Sequence, residues 1–483
     1  MNRYVLYIST RINPIIIVAG IILFSSCTVG PNYVRPDATT IPPGYTNVSS
    51  EWKVSTPEDH LPKGKWWEII GDSTLNQLEA EAAKANEDIK IAYARFEQAR
   101  SGADVAASDF YPRITAGADA TRQHDSENRP LSNTGKAANQ GYTYDNFAVP
   151  FNASYEIDLW GRVRREVESA TANFQANASD LEGVKLSIAA EVAADYFAIR
   201  TLDADNVMLR KTIEAYRQSL QLVRNRRAAG LISDLDVAQA ETILKTSEAQ
   251  LPDIALQRTK FQNALAVLVG VNPSLFTLPE NPLDIAPPFI PTGLPSELLE
   301  RRPDVASAER RMAAVNASVG MATAAFYPTI GLSALGGVQS ITSGALFTVS
   351  STLWALGSSL RIPLFDGGKL NAKLHGAESE YDQTVAFYRK TVLTAFADVE
   401  TNLAAQRLLA DEYEQEASAF ESASRQLQIA ENQYRAGLIT YINVATAQGT
   451  ALGIQRALVR LRGAQFTAAV ALIKSLGGGW ISI

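Results

Sequence analysis

Residues that could take part in chemistry are few in this chain of 483 residues. It contains one cysteine, Cys27, and three histidines, which stand far apart at His60, His124 and His375. These residues supply neither a nucleophile–base set nor a cluster of metal ligands, and no phosphate-binding loop motif is present. The sequence therefore predicts a protein that is not an enzyme and that has no metal or cofactor.

The chemistry open to Cys27 is acylation. Two arginines, an apolar run over residues 15–24 and two serines precede it. A charged start, a hydrophobic segment too short to span a bilayer and small residues before a cysteine are typical of a bacterial lipoprotein signal. We expect residues 1–26 to be removed and Cys27 to carry a covalent lipid, and a threonine at position 28 resembles lipoproteins sent to the outer membrane. The alternatives are an ordinary signal peptide with an incidental cysteine and a short membrane anchor.

The composition fits a folded protein that does not bind nucleic acid. Apolar residues make up 46% and charged residues 20% of the chain, as in globular rather than disordered proteins. The formal net charge is -7, so no basic face is available to neutralise phosphates. We therefore expect no nucleic-acid partner.

Two stretches far apart in the chain have nearly the same sequence. RAAGLISDLDVAQAET begins at Arg227 and RAGLITYINVATAQGT begins at Arg435, which aligns Gly230 with Gly437. FYPRI at residue 110 likewise returns as FYPTI at 326, and GRV at 161 returns as GKL at 368. We interpret these matches as an internal duplication, with a longer insertion in the first copy within residues 122–146.

The duplication sets the predicted domain boundaries. A proline-rich stretch separates the two copies, and proline there prevents helix formation and favours an extended chain. The predicted segments are a signal peptide over 1–26, an extended N-terminal segment over 27–72, a first repeat over 73–270, a linker over 271–295, a second repeat over 296–477 and a C-terminal tail over 478–483.

Each repeat is predicted to follow one order of elements: a helix, a β-hairpin, a long helix, a tip turn and a closing helix. Pro112 and Pro328 are expected to stop the leading helices, which are predicted from Ser73 to Asp109 and from Pro295 to Ala325. The hairpins are predicted at 110–160 and 326–366, and the tip turns at 228–233 and 435–440.

The long helices would each span about 100 Å, and the closing helices about 55 Å, at 1.5 Å per residue. Such lengths do not fit a compact globule and predict a tube or coiled coil, with an ordinary bundle as the alternative. Apolar and small polar residues alternate three and four apart, as in a coiled-coil seam. The seam residues are Ile199, Leu202, Asn206, Leu209, Ile213, Tyr216, Leu220 and Val223 in the first copy, and Phe396, Val399, Leu403, Gln406, Ala410, Tyr413, Ala417, Phe420, Ser424 and Leu427 in the second.

The segments predicted as strands alternate between apolar and small polar residues. No charged residue occurs from Phe326 to Leu360. This pattern is typical of transmembrane β-strands, although half-buried strands of a soluble sheet are the alternative. Four strands cannot close a membrane barrel, so three chains with twelve strands are the simplest solution. The predicted lipid-facing residues are Phe147, Val149, Phe151, Ala153, Tyr155, Ile157 and Leu159 in the first copy, and Trp354, Leu356, Leu360, Ile362 and Leu364 in the second.

Several motifs resemble a known family. CTVGPNYVRP, YEIDLWGRVRR, GLPSELLERRPDV, FYPTIGL, IPLFDGGKL, YRAGLITYINV and LGGGW are similar to the lipoprotein branch of the outer-membrane factors, the TolC-like channels of Gram-negative tripartite efflux systems. The resemblance covers essentially the whole mature chain. It implies a mixed α+β membrane protein, in which a trimer shares an outer-membrane β-barrel continuous with a periplasmic α-barrel of long helices. It also implies a periplasmic adaptor and an inner-membrane pump, often of the resistance-nodulation-division type, as partners.

In that family, charged residues just past the second tip turn close the channel. The matching positions here are Ile442, Asn443, Thr446 and Gly449, with Thr446 in place of the usual aspartate and Gly449 in place of its arginine partner. We therefore expect an apolar constriction near Ile442, supplemented by one of two acids in the first tip. Those acids are Asp234 and Asp236, with Arg227 as a possible partner. Their alternative role is to complement the dipole at a helix N-terminus.

The tip turns are also the expected docking surface for the adaptor. Gly230 and Gly437 would permit the reversal, Ser233 and Thr440 would cap the next helices, and Leu231 and Leu438 would contact the adaptor unless they pack internally. The alternative function is a lipid-anchored periplasmic coiled-coil adaptor or a structural protein. Such an adaptor needs one helical hairpin and several small soluble β domains, rather than two hairpins and uncharged strands.

Overall fold

The computed structural model leaves the lipidation site and both chain ends outside the residues that it describes. Cys27, the predicted signal peptide over 1–26, His60 and the tail beyond residue 478 are all outside. The predicted N-terminal segment over 27–72 is not extended throughout, because a short 3-10 helix forms at Trp66–Ile70 and ends at Gly71 with φ of 74°. The described residues are 28–38, 64–127, 141, 143–288, 290 and 302–478.

The chain divides into two compact units; of the residues that the structure describes, one unit contains the strands and the other contains helices without strands. The sheet unit comprises Met1–Pro36, Gln98–Phe174 and Arg310–Val385, and the helical unit comprises Asp37–Glu97, Gln175–Glu309 and Ala386–Ile483.

Helices account for most of the described chain. Two of them have 67 residues each, which corresponds to about 100 Å of helix as predicted. In the described ranges, none has an apolar stretch long enough to cross a membrane. The helices are α1 (Ser73–Ala85), α2 (Glu87–Ser108), α3 (Arg162–Ala228), α4 (Asp234–Glu248), α5 (Gln250–Leu268), α6 (Pro303–Ala324), α7 (Lys369–Arg435) and α8 (Tyr441–Ser475).

Two helices predicted as continuous in the first repeat are each divided into two. Asn86 separates α1 from α2, and its side chain accepts a hydrogen bond from Ile89 N (3.0 Å) while donating to the carbonyl of Leu268 (2.9 Å). Ala249 separates α4 from α5. Pro252 lacks the N–H that would bond to the carbonyl four residues earlier, which accounts for the second break.

The leading helices end before the prolines that were expected to stop them. α2 ends at Ser108 and α6 at Ala324, each four residues ahead of Pro112 or Pro328. Tight turns follow, in which Tyr111 N donates to the Ser108 carbonyl (3.0 Å) and Tyr327 N to the Ala324 carbonyl (3.1 Å). Proline excludes the residue before it from helical geometry, so the chain turns earlier than the proline itself.

The strands form one antiparallel sheet that is four strands wide. β1 and β2 pair with successive parts of β3, β3 pairs with β4, and β4 pairs with β5. The hairpin predicted at 110–160 therefore has its first arm divided between two strands. The β3–β4 ladder joins the first repeat to the second. The strands are β1 (Arg113–Ala116), β2 (Asp119–His124), β3 (Thr143–Ile157), β4 (Thr329–Ser340) and β5 (Thr352–Arg361).

The register places apolar residues on one face of the sheet, as predicted. Ala153 lies opposite Ala334, which lies opposite Leu356. The other face carries Ser154 and Ser333 in the neighbouring row. Directly opposed residues share a face in an antiparallel sheet, so the alternation holds across β3, β4 and β5.

Three residues assigned to the apolar face lie beyond the strands. Leu159 follows the end of β3 at Ile157, because Asp158 caps α3 by accepting from Val163 N at 3.1 Å. Ile362 and Leu364 follow the end of β5 at Arg361. Pro363 between them has no N–H for the ladder, which ends the strand.

The predicted seam is buried in α3 but only partly covered in α7. Leu209, Ile213 and Val223 are buried in a core that also contains residues of α4, α5, α7 and α8. In α7, Val399 is buried, whereas Ala410 is exposed. The second seam is therefore incomplete within one chain.

Candidate functional site

The two tip turns have the same backbone geometry. Gly230 has φ of 72° and Gly437 has φ of 77°, a left-handed conformation that favours glycine. Leu231 N donates to the carbonyl of Arg226 (3.0 Å), and Leu438 N donates to that of Gln433 (2.9 Å). These six-to-one bonds define a Schellman motif at the end of each long helix. Both glycines thus perform the structural role expected from the sequence.

The residues after the turns differ in how they cap the next helix. Ser233 donates from its backbone N (3.1 Å) and its hydroxyl (2.9 Å) to the Asp236 carboxylate, which forms part of a capping box. Thr440 also occupies the cap position, but its hydroxyl accepts from the Asn443 side chain (3.2 Å) and makes no cap bond to the backbone. Asp236 and Asn443 therefore have local partners.

The second acid of the first tip also has a partner in its own turn. Arg227 donates to both carboxylate oxygens of Asp234, at 2.6 and 2.9 Å. The hydrogen bond from the guanidinium lowers the pKa of Asp234, so this carboxylate stays charged at neutral pH. The structure brings Arg227 to Asp234 and not to Asp236. Both acids therefore stabilise the turn, and their role in a gate stays a prediction.

One arginine joins the two tips. Arg226 donates to the carbonyls of Tyr434 (2.6 Å) and Arg435 (3.0 Å), in the last turn of α7. Its guanidinium also lies over the Tyr434 ring, 4.7 Å from the centroid. We call these contacts the inter-tip link. A cation at a helix C-terminus satisfies carbonyls that have no intrahelical partner. Sequence reasoning missed this residue, because nothing in the run of arginines distinguishes Arg226 from its neighbours.

Buried aromatic side chains lie beneath the link. The rings of Tyr434 and Tyr441 meet edge to face with centroids 5.5 Å apart. The Tyr216 hydroxyl donates to the backbone carbonyl of Gln448 (3.2 Å), which connects α3 with α8. Burial raises the pKa of Tyr216 to about 12, so its hydroxyl remains a neutral donor. The tips therefore rest on a packed base that contains hydrogen bonds.

The residues proposed for docking and closure are accessible. Leu231 is 69% and Leu438 74% exposed, so neither packs internally within the chain. Ile442 is 49% exposed. Thr446 donates to the Ile442 carbonyl (2.9 Å), and Gly449 faces open space. Thr446 and Gly449, the positions where the resemblance implies a charged pair, therefore carry no charge here.

A groove runs beside these residues between α7 and α8. Its volume is about 480 Å³, and Asn443 and Thr446 line it together with Ile429, Ile439 and Arg425. In the described ranges, no group of three or more histidine, cysteine or acidic side chains could hold a metal ion. The tips thus combine tight glycine turns and exposed leucines with a groove. Arg425 is the one basic side chain among the groove residues named above.

Comparison with known proteins identifies the family. A model of the family described as outer membrane efflux protein matches residues 78–271 and 294–478. The chain belongs to the outer membrane efflux protein family. Members of this family are efflux channels rather than enzymes, and the predicted function, an outer-membrane channel of an efflux system, is confirmed. The predicted outer-membrane location is confirmed as well.

Individual relatives and a solved structure support the same family assignment. The pyoverdine export outer membrane protein OpmQ of Pseudomonas aeruginosa is 33% identical over 422 residues, covering 86% of this chain and 88% of OpmQ. The antibiotic efflux pump outer membrane protein ArpC of Pseudomonas putida is 29% identical over 472 residues, covering 95% of this chain and 94% of ArpC. The Campylobacter jejuni outer membrane channel CmeC superimposes with a TM-score of 0.85 at 25% identity, covering 94% of this chain and 95% of CmeC. The fold is that of an efflux channel, with a helical tunnel and a β domain.

Proposed function

We propose that three copies of this efflux channel protein assemble into one duct, in which their sheets close a twelve-stranded barrel in the outer membrane. The main support for this proposal is that the edge strands of the sheet are unpaired in the described part of one chain. Among the described residues, β5 on one side and β1 with β2 on the other have no further strand to pair with. A membrane-spanning sheet leaves no edge unpaired, so neighbouring chains must complete it. Three four-strand sheets give an even number of strands above the minimum of eight.

The faces of the sheet support the same assembly. Trp354 and Leu360 are mostly exposed on the apolar face of β5. Large exposed apolar side chains in a regular row are expected to contact lipid. Small polar residues such as Ser154 and Ser333 on the other face would line a water-filled lumen. The incomplete seam of α7 provides a further surface for a neighbouring copy to cover.

Particle mass and conductance test this proposal. The purified protein should form a detergent-dependent particle of three chains and should conduct ions in a planar bilayer. Size-exclusion chromatography with light scattering measures the first, and single-channel recording measures the second. A monomeric particle that never conducts would contradict the assembly.

We also propose that Cys27 anchors the protein by a covalent lipid. The residues next to it lie against the end of the sheet: Val29 N donates to the Trp160 carbonyl (3.0 Å), and a Cβ on Gly161 would lie 2.6 Å from Thr28 Cγ2. Trp160 stacks on Tyr327 with centroids 4.8 Å apart, beside the start of β4. Aromatic side chains at strand ends are typical of a membrane–water interface. A lipid on Cys27 would therefore enter the bilayer at this level.

Replacing Cys27 by serine should abolish acylation and still leave an assembled pore, because the shared barrel holds itself in the membrane. Mass spectrometry of the mature N-terminus should show the lipid on Cys27 in the wild type and none in the variant. The wild type with an unmodified Cys27, or cleaved at another residue, would contradict the lipoprotein assignment.

The partners of the channel are proposed from the tips. The exposed Leu231 and Leu438 offer one apolar contact per turn to a periplasmic adaptor, which would connect the channel to an inner-membrane pump of the resistance-nodulation-division type. We further propose that the resting channel closes at the tips near Ile442, and that the inter-tip link holds the two hairpins of each chain in the closed arrangement. The acids Asp234 and Asp236 contribute less, because each is engaged within its own turn.

Internal duplication is proposed as the origin of this arrangement. The family model matches the chain twice, and both long helices have 67 residues and end in the same Schellman turn. Duplication of one helix–hairpin–helix unit accounts for both observations.

A further inference from the structure

A second candidate site lies in the helical unit, away from the tips. A cavity of about 400 Å³ is lined by the short helix at Trp66–Ile70 and by α1, α2 and α3. Its apolar wall includes Trp67, Ile89, Leu186 and Ala189. From this wall to Gly230 runs about 60 Å of α3, so the cavity is distinct from the candidate gate. Its volume lies in the range of small-molecule sites.

Two polar atoms of residues that line the cavity lack a hydrogen-bond partner among the described residues. Glu79 Oε1 and Trp66 Nε1 are buried and make no hydrogen bond within the described part of the chain. Both residues line the cavity, and each is only 2% exposed. A buried polar group left unpaired costs about 1–3 kcal/mol, so such groups are rare and call for an explanation. A ligand that pairs with the Glu79 carboxyl supplies one for this residue.

We propose that this cavity binds a small organic cation, with the Glu79 carboxylate against the positive charge and the tryptophan rings against the apolar body. The rings of Trp66 and Trp67 stand nearly perpendicular, at 80°, with centroids 5.7 Å apart. They therefore present ring faces in two directions, and an aromatic face attracts a cation within about 6 Å of its centroid. A carboxylate beside aromatic faces selects for positive charge.

The remaining charges at the cavity leave this selection to Glu79. Glu182 and Lys185, both on α3, are the other titratable residues in its wall, and they form an ion pair of 2.7 Å. Their charges offset each other. Burial raises the pKa of Glu79 to about 9, so its carboxyl is neutral at pH 7 without a ligand. A cation must then displace this proton.

Proton displacement gives the binding a recognisable pH dependence. The ionised fraction of a carboxyl with a pKa near 9 rises almost tenfold per pH unit below that value. The affinity for a permanent cation should therefore increase roughly 50- to 100-fold between pH 6.5 and 8.5. A neutral ligand displaces no proton and should show no such increase.

Isothermal titration of the full-length protein in detergent with benzyltrimethylammonium tests the site. Glu79→Gln should weaken binding at pH 8.5 by at least roughly tenfold and remove the pH dependence. The variant should fold, because one neutral side chain replaces another of the same size. Glu81→Gln, on the same helix as Glu79 but outside the cavity wall, is the matched control and should change the affinity by less than about threefold.

The neutral isostere neopentylbenzene separates charge recognition from apolar binding. It should bind more weakly than the ammonium ion at pH 8.5, and equally in the wild type and Glu79→Gln. The inference is wrong if the two compounds bind alike, if Glu79→Gln leaves the ammonium affinity unchanged, or if the ammonium ion does not bind at pH 8.5. None of these results affects trimer assembly or conductance, so failure here leaves the proposed function intact.

Discussion

Replacing Leu356 by arginine is expected to destabilise the assembled barrel by about 2–4 kcal/mol if this position lies near the bilayer midplane. Leu356 is on the apolar face in the middle of β5 and is 75% exposed in the chain. In the proposed trimer its side chain contacts lipid, where a guanidinium loses its hydration without gaining a partner. The measurement is the denaturant dependence of unfolding in lipid vesicles, with the trimer fraction on semi-native gels as a second readout.

Ser359→Arg is the matched control, three residues further along the same strand. Ser359 lies on the opposite face, directly across from Gly331, which leaves room for a longer side chain. In the trimer this face lines the lumen, so arginine stays hydrated and should alter conductance rather than stability. Equal tolerance of arginine at both positions would remove the membrane-strand assignment. Equal damage at both would show that β5 is packed on both faces.

The sheet shows how far periodic patterns predict a fold. Alternation of period two identified β3 and β5 and their faces, because side chains of a strand point to alternate sides. Helical spacing likewise identified the α3 seam. The errors fall at the ends of elements, as at Leu159 and Leu364, where a cap or a proline ends the strand. Those ends depend on single hydrogen bonds, which periodicity does not report.

Contacts between distant residues were beyond sequence reasoning. Arg456 reaches Asp205 across 2.7 Å and joins α8 to α3, with the carboxylate nearly buried. Nothing in either helix distinguishes these residues from other charges. The break at Asn86 has the same origin, because its side chain bonds to Leu268 far along the chain. Such pairs form because the helices pack together, and the local sequence pattern does not show which distant residues packing brings into contact.

The candidate gate was predicted only in part from the sequence. The duplicated motif predicted both glycine turns from sequence alone, whereas it left open whether Leu231 and Leu438 are exposed or pack internally. The resemblance to known channels indicated Thr446 and Gly449 as the positions where charges are missing. It did not indicate Arg226, whose bonds to Tyr434 and Arg435 connect the hairpins of one chain. Closure that lacks the usual charges is therefore expected to depend on this link and on apolar contact.

Arg226→Ala is expected to raise the resting conductance of the isolated channel. The substitution removes two hydrogen bonds from a charged donor, which together should contribute about 2 kcal/mol to the closed arrangement. If the open arrangement lacks these bonds, its population should rise roughly 30-fold. Single-channel recording in planar bilayers without the adaptor protein measures the open population directly. Stability should change little, because the aromatic base beneath the tips remains packed.

Arg227→Ala provides a control of the same residue type at the next position. Arg227 bonds to Asp234 within its own turn and does not reach the second hairpin through that pair. Its removal should leave the resting conductance near that of the wild type. Equal opening by both variants would show that positive charge at the tip matters, whichever hairpin it contacts. No opening by Arg226→Ala would exclude the inter-tip link as a constraint on the closed state.

Substitutions in α8 and α4 distinguish closure by apolar contact from closure by charged residues. Ile442 is half-exposed beside the groove, whereas the Thr446 hydroxyl bonds to its own helix. Ile442→Gly should therefore raise conductance more than Thr446→Ala does, because only the first removes an apolar contact from the constriction. Asp236→Ala should loosen the start of α4 without opening the pore. If Asp236→Ala opens the channel while Ile442→Gly leaves it closed, the gate is electrostatic and belongs to the first tip.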